Sequence, residues 1–361
     1  MEVEVQKERL DQWYWAMKYE EKEEVERLKK IVEEQVRFTD PELNKLYELL
    51  LVRYHLLHKD YDLSAAAFAE LDPTERDGDN HWLNYFYYFF RGIYHYDRKE
   101  YQAAIDNYLK AKPLVTQITM IEIAELYYKL ASAYHRTYDI TLSMEYTHKA
   151  LKIFKDQAHY RRVASCENLL ALNNHDFEQY KEAERHYHEA LIFAAKADNE
   201  LLKMRIFHNF GLLYTDQNDS KTAISYLTKV KKQIENEDDY LKSQNLFLLA
   251  KNLFRNDQLE VARDRLGQGK VLSIGLDNED YYNHCKLLEA KFVNPDHFEK
   301  IYIEGITYFR NQELWEYVIE YSEELASYLQ GANYYKAACE YYSLAVVGKN
   351  KMKKERALSH V

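Results

Sequence analysis

Asn173, Asn174 and Asp176 fall together in ALNNHDFEQYKEAE, and Asn209 stands in IFHNFGLLY, two residues before Gly211. A side-chain amide can make two hydrogen bonds to a single peptide unit of an extended chain, so these residue types suit the capture of a peptide backbone. An Asn inside an apolar helical stretch is poor for helix propensity. Asn209 therefore either faces a groove or bonds to a neighbouring helix, and the spacing leaves both open. The polar trio either caps its helix or faces the same groove. His55 and His58, at i and i+3 near Asp60, have a spacing that can hold a metal. No third ligand is visible, however, and both flank an apolar stripe. His186 and His188 in HYH point to different helix faces and read as surface residues. The chain has no Gly-rich phosphate loop and no G-x-S-x-G elbow, and its many carboxylates read as a solvated helix face. No metal and no cofactor is expected; the chemistry on offer is recognition.

The elements that would position these residues follow from a repeat. A small residue is followed four later by a larger one and often three later by a second small one. Ala104, Tyr108 and Ala111 form one such set; Ser143, Thr147 and Ala150 another; Ala183, Tyr187 and Ala190 a third. The scheme returns at Ala223 and Leu227, at Ala262 and Leu266, and at Ala338, Tyr342 and Ala345. The step is about 40 residues, with one gap near twice that, and the stretch from about 275 to 320 fits worst. A fixed period of this size means stacked helix pairs of the tetratricopeptide kind, longer than the usual ~34 residues, and such stacks make long binding surfaces. Gly92 and Gly211 read as points of close helix approach. Tyr108, Tyr187 and Tyr342 read as core, while other tyrosines are available to line a groove.

The first 70 or so residues stand outside the repeat. Leu10, Trp13, Tyr14 and Met17 follow helical spacing, as do Val25, Leu28 and Val32. A third helix has Asp40 as N-cap, Pro41 at its first position and a stripe of Leu43, Leu46, Tyr47, Leu50, Leu51, Tyr54 and Leu57. The expected fold is all-α: a three-helix bundle over residues 1–75, then a tetratricopeptide-repeat superhelix over 80–361, divided at the polar LDPTERDGDN of residues 71–80. The basic tail KNKMKKERALSHV reads as the fraying end of a last helix.

Composition narrows the function. With only 9 Gly and 4 Pro in 361 residues, an all-β fold is excluded, and a net charge of −11 argues against direct nucleic-acid binding. Cys166, Cys285 and Cys339 are far apart and outside any C-x-x-C, a reduced pattern. The charged MEVEVQKERL start and the lack of any long apolar run give no reason to expect a membrane partner. A cytoplasmic protein is expected.

LDQWYWAMK (10–18), NYFYYFFRGIYHYDRKEYQAAI (84–105), TLSMEYTHKALKIF (141–154) and HNFGLLY (208–214) keep the order and spacing of segments in one known family. The chain resembles, over nearly its whole length, the Rap proteins: response regulator aspartate phosphatases and their non-enzymatic relatives, tetratricopeptide quorum-sensing receptors controlled by Phr peptides. The resemblance implies that a short Phr-like peptide lies in the repeat groove, held by Asp176 and Asn209, with Asn173, Arg205 and Tyr134 on the same surface. It implies a response regulator, or its DNA-binding domain, bound at the N-terminal bundle around the second and third helices. Phosphatase members carry a Gln at the start of the third helix that orients water for in-line attack. The ungapped match puts Leu43 there, with Glu42 and Asn44 beside it and Gln35 too far upstream. A leucine cannot orient water, so the resemblance implies a receptor that binds and inhibits its partner. The alternative is an active phosphatase using Asn44. A DNA-binding relative is disfavoured because YEEKEEVERLKKIVEEQ is too acidic for a recognition helix.

Overall fold

Most helices of this chain end in the same turn. One non-glycine residue takes a left-handed φ, and the next N–H reaches back to a carbonyl in the preceding helix. Tyr138 (φ 58°), Glu178 (57°) and Asn218 (58°) are three such residues. They are followed by Asp139 N–H on Tyr134 O (2.9 Å), Gln179 N–H on Asn174 O (2.8 Å) and Asp219 N–H on Tyr214 O (2.9 Å). The left-handed residue costs roughly 1 kcal/mol, which the closed hydrogen bonds offset. An Asp or Asn then starts the next helix: the side chains of Asp139, Asn199, Asp219 and Asn278 each accept a hydrogen bond from an N–H of the first turn.

The computed structural model describes residues 2–19, 21–35, 40–71, 81–117, 119–230 and 239–358. The chain forms two compact units, Met1–Gln157 and Ala158–Val361. The first holds α1 (Glu2–Tyr19), α2 (Lys22–Gln35), α3 (Pro41–Leu57), α4 (Tyr61–Glu70), α5 (His81–Asp97), α6 (Tyr101–Ala111), α7 (Met120–Arg136) and α8 (Ile140–Asp156). The second holds α9 (Tyr160–Asp176), α10 (Tyr180–Lys196), α11 (Glu200–Asp216), α12 (Ser220–Leu227), α13 (Asp239–Arg255) and α14 (Leu259–Gly275). It continues through α15 (Glu279–Phe292), α16 (Phe298–Asn311), α17 (Trp315–Gly331) and α18 (Tyr335–Leu358). The described residues are all-α, arranged from α5 onward as tetratricopeptide-like hairpins. Among them no helix is long and apolar enough to cross a membrane.

In the first unit Leu10, Trp13, Tyr14 and Met17 of α1 and Val25, Leu28 and Val32 of α2 are buried. Trp13 lies against Tyr47 and Tyr54 of α3. The α3 stripe is broader than its spacing predicts. Leu49, Val52 and Leu56 are buried along with Leu43, Leu46 and Leu50, whereas Leu51, Tyr54 and Leu57 are half-exposed. The reason is that α3 packs against α1, α4 and α5 together, which widens and turns its covered face. α4 is a short fourth helix beyond the three expected. The expected boundary at 71–80 falls almost wholly on residues 72–80, outside the described residues. By contacts alone, the first two hairpins group with the N-terminal helices. One tie within that group is ionic: the Lys18 ammonium pairs with Glu122 of α7, whose other oxygen accepts from the Tyr14 hydroxyl at 2.9 Å. Lys18 and Glu122 are both buried, and breaking such a pair costs far more than forming it gains.

The hairpins close where a small residue of one helix faces a large one of the other. A Cβ on Gly92 of α5 would stand 2.3 Å from the Tyr108 ring of α6. On Gly211 of α11 it would stand 2.3 Å from Leu227 of α12. Ala131, Ala171, Ala250 and Ala290 fall at matching positions of the other first helices and are fully buried. The stretch around 275–320 hid its period for two reasons. α15 and α16 are 14 residues long, against 17 for most of the helices. Their lock is also reversed: Gly305 on the second helix faces Leu287 on the first.

Two expectations are corrected here. Tyr108 and Tyr187 are fully buried, but Tyr342 is 39% exposed, because no further described hairpin covers α18. His186 is buried rather than superficial: its Nδ1 lies 2.7 Å from the buried carboxylate of Glu167, while His188 stays exposed. In the tail, α18 runs unbroken to Leu358, and residues 359–361 lie outside the described residues.

Replacing Gly92 by Val should lower the unfolding free energy by about 1–3 kcal/mol through overpacking. Gly267, on α14 with nothing within 4 Å of a built Cβ, should gain about 0.5–1 kcal/mol as Ala. Urea denaturation of both variants checks the pair; equal effects at the two sites would refute the lock.

Candidate functional site

Asn209 sits near the middle of α11, and its Nδ2 donates to Oδ1 of Asn168 on α9 at 3.0 Å. Both amides are half-exposed. The two readings left open by the sequence are thus joined: Asn209 does make an inter-helix hydrogen bond, and it does so on a face that solvent reaches. Each amide carries one donor group and one acceptor oxygen, so the pair can still offer polar groups to a backbone laid across it.

The pair is one rung of a polar ladder joining successive first helices. Between the ends of α9 and α11, His175 Nε2 lies 2.9 Å from Asp216 Oδ2. From α13, Asn252 Nδ2 donates to Thr215 Oγ1 of α11 at 2.6 Å, and Arg255 Nη1 donates to the Thr215 carbonyl at 3.1 Å. Asn168, His175 and Asn252 were not singled out from sequence. The available signal was the period: Asn168 lies 41 residues before Asn209, and Asn252 lies 37 after Thr215.

The other expected residues fall in different places. Asp176 is the last residue of α9 and is exposed. Its counterpart at the end of α11 is Asp216, seven residues beyond Asn209, so Asp176 and Asn209 are offset by about 10 Å along the helix axes. They are set diagonally, on successive first helices one repeat apart. The carboxylates of Asp176 and Asp216 both act on the buried Tyr187 phenol, which burial foremost, and then these charges, push well up. Arg205 is exposed on α11 one turn before Asn209, on the same side.

Asn173 is a correction: α9 is covered around most of its circumference, and the Asn173 side chain is fully buried, away from any open surface. Asn174 is buried too and donates to the Leu170 carbonyl of its own helix at 2.7 Å. Tyr134 belongs to the first unit. It is buried there and stacks on Tyr146 at 5.7 Å, and burial foremost pushes its phenol up to about 12.

At the start of α3, Asp40 accepts from the N–H of Glu42 at 2.8 Å and of Leu43 at 3.4 Å. This cap sets the direction of the first turn: Glu42 and Asn44 are exposed, and Leu43 is buried. The Asn44 amide donates to Glu48 one turn on, at 2.8 Å. Nearby, Glu26 of α2 accepts from the Tyr54 hydroxyl at 3.0 Å and pairs with His58 at 3.2 Å. His58 is thus paired with a carboxylate of another helix, and Asp60 caps α4. Among the described residues no group of three His, Cys, Asp or Glu is placed to hold a metal ion.

No family model matches the chain. Regulatory protein RapD of Bacillus subtilis (strain 168) is 28% identical over 333 residues, 88% of this chain and 92% of that protein. Response regulator aspartate phosphatase I of the same organism is 25% identical over 356 residues, 96% of this chain and 91% of its own length. Among solved structures, a Rap protein complexed with competence and sporulation factor superposes with a TM-score of 0.84 at 21% identity, covering 98% of this chain and 100% of that one. That last likeness is one of fold.

Replacing Asn209 by Ala removes one half-exposed hydrogen bond and should lower stability by only about 0.5–1.5 kcal/mol with helicity intact. Circular dichroism and urea unfolding check this; loss of the cooperative transition would make Asn209 a structural residue.

Proposed function

Since this chain belongs to the Rap family, we propose that it is a peptide-gated, quorum-sensing receptor of the cytoplasm that binds and inhibits a response regulator. A short Phr-like peptide in the groove of the repeats releases that partner. The observation that carries the receptor half is the half-exposed Asn168–Asn209 amide pair, set between two successive first helices with Arg205 one turn away. A peptide laid across it exchanges solvent for paired amide groups, and the exposed Asp176 carboxylate offers a partner for a basic peptide side chain. Asn173, fully buried, is left out of the contact set, and Tyr134 remains a residue to test.

The output half rests on the first helices. The residue at the family's water-orienting position, Leu43, has neither a polar atom nor access to solvent. In-line attack on an aspartyl phosphate needs a positioned water. Inhibition by binding is therefore favoured over hydrolysis, with the partner seated on the exposed face of α2 and α3 around Glu26, Tyr54 and His58. One observation keeps a phosphatase reading in play: Asn44, next in sequence, is exposed and held by Glu48, and a relative carries the phosphatase name.

The deciding experiment mixes the protein with phosphorylated response regulators and follows both complex formation and phosphate loss. A stable complex with an unchanged phosphate lifetime is expected. Accelerated loss that Asn44→Ala abolishes would replace inhibition by phosphatase action. No complex with any regulator would sink the output half. On the input side, Asn209→Ala should weaken binding of a peptide selected by the protein about 10-fold or more in calorimetry, the loss expected from one or two hydrogen bonds.

A further inference from the structure

Two rungs join α9 and α11: Asn168 to Asn209 at 3.0 Å and, seven residues further on both helices, His175 to Asp216 at 2.9 Å. Equal steps on both sides mean that the helices run parallel and in register over about 10 Å. Between Val163 and Asp176 of α9, Ser165, Asn168 and Leu172 are partly open, at the spacing of one helix face, and every other residue is buried. On α11, Asn209, Leu212 and Asp216 follow at similar spacing, the first two partly open and the third exposed. The face therefore presents three layers, each with the same residue type on both helices: Asn168 with Asn209, Leu172 with Leu212, Asp176 with Asp216. Successive layers lie about 5–6 Å apart along the helix axes.

The middle layer is apolar where its neighbours are polar. Leu172 packs on the cluster that holds Ala171, Tyr187 and Phe210, and Leu212 on the one that holds Ala250 and Leu253. Each leucine is thus held from behind, with its outer side open between a row of amides and a row of carboxylates. A single half-exposed leucine is ordinary on a protein surface. Two in the same layer of successive repeats, edged on both sides by polar rows, form an apolar step about one side chain wide. A polar side chain laid there gives up water without gaining a partner, whereas an aliphatic one buries area on both leucines.

We propose that Leu172 and Leu212 are specificity-determining residues of the peptide site. They select one aliphatic side chain, seated between the peptide unit held by the amide pair and the basic group held by Asp176. The inference rests on the peptide-receptor reading and adds to it a required residue class at one position of the peptide.

The test uses the full chain and a pool of random hexapeptides, from which the retained peptides are identified by mass spectrometry. They should share a basic residue and, at a fixed distance from it, Leu, Ile, Val or Met. The strongest is synthesised and titrated by calorimetry. Alanine at its aliphatic position should weaken binding to the unaltered protein about 10-fold or more, but only about 2- to 3-fold to a variant carrying Leu172→Ala and Leu212→Ala together. A photoreactive diazirine analogue of leucine at the same position should crosslink to α9 or α11 within one turn of Leu172 or Leu212. The crosslink needs no variant, so it holds even if the double variant folds poorly. Retained peptides without an aliphatic preference overturn the subsite and leave the receptor reading standing. Equal loss on alanine for both proteins, or crosslinks confined to other helices, does the same. If no peptide is retained, the receptor reading fails and the subsite fails with it.

Discussion

Two helices can lie close together only where one of them has almost no side chain, and every hairpin here depends on that constraint. Gly92 against Tyr108 and Gly211 against Leu227 are the tightest cases, with room for a ring or an isobutyl group only because the glycine lacks a Cβ. Once a hairpin is closed this way, its two ends are set, and the left-handed turn residue and its returning hydrogen bond can be repeated from pair to pair. First helices then recur at starts 120, 160, 200, 239 and 279. A side chain on one first helix consequently meets a side chain about 40 residues away on the next. That is the whole basis of the ladder through Asn168, Asn209, Thr215 and Asn252.

The repeats and the N-terminal helices draw on different physics. The Asn168–Asn209 rung is half-exposed and within reach of solvent, whereas Thr215 and Asn252 of the next rung are buried and tie the helices together. The N-terminal helices are built around apolar packing, with one buried ion pair from Lys18 to Glu122 reinforced by the Tyr14 hydroxyl. At the start of α3, the cap at Asp40 turns Leu43 inward and Asn44 outward. The same cap would present whatever residue stood at 43 to the core, so a polar group there would require a different packing of α3 against its neighbours.

Much of the fold could be read from spacing. The three N-terminal helices, the Asp40 cap, Gly92 and Gly211, and the buried Tyr108 and Tyr187 all follow from local rules about which residues fit at which helical position. The hairpin of α15 and α16 did not, because its small residue lies on the opposite helix and its helices are shorter. The site was less legible. Asn209 stood out because Asn is unfavourable inside an apolar helix. Asn168 did not, although it is the group that gives Asn209 its bond. His186 looked like a surface residue and is buried on Glu167, since a polar residue on a covered face is acceptable whenever a partner from another helix meets it.

The sequence by itself therefore determined the repeat, its period, the small and large positions and the places where helices begin and end, because each of these is decided by residues within one or two turns of each other. Only the tertiary structure decided which side chains of neighbouring repeats touch, that Asn173 is hidden while Asp176 is exposed, and that Arg255 meets the Thr215 carbonyl while Lys251 and Lys291 each meet a glutamate. The physical reason is the same in each case. Pairing across helices depends on rotation about the helix axis and on offset along it, and a period of about 40 residues specifies neither to within the length of a side chain.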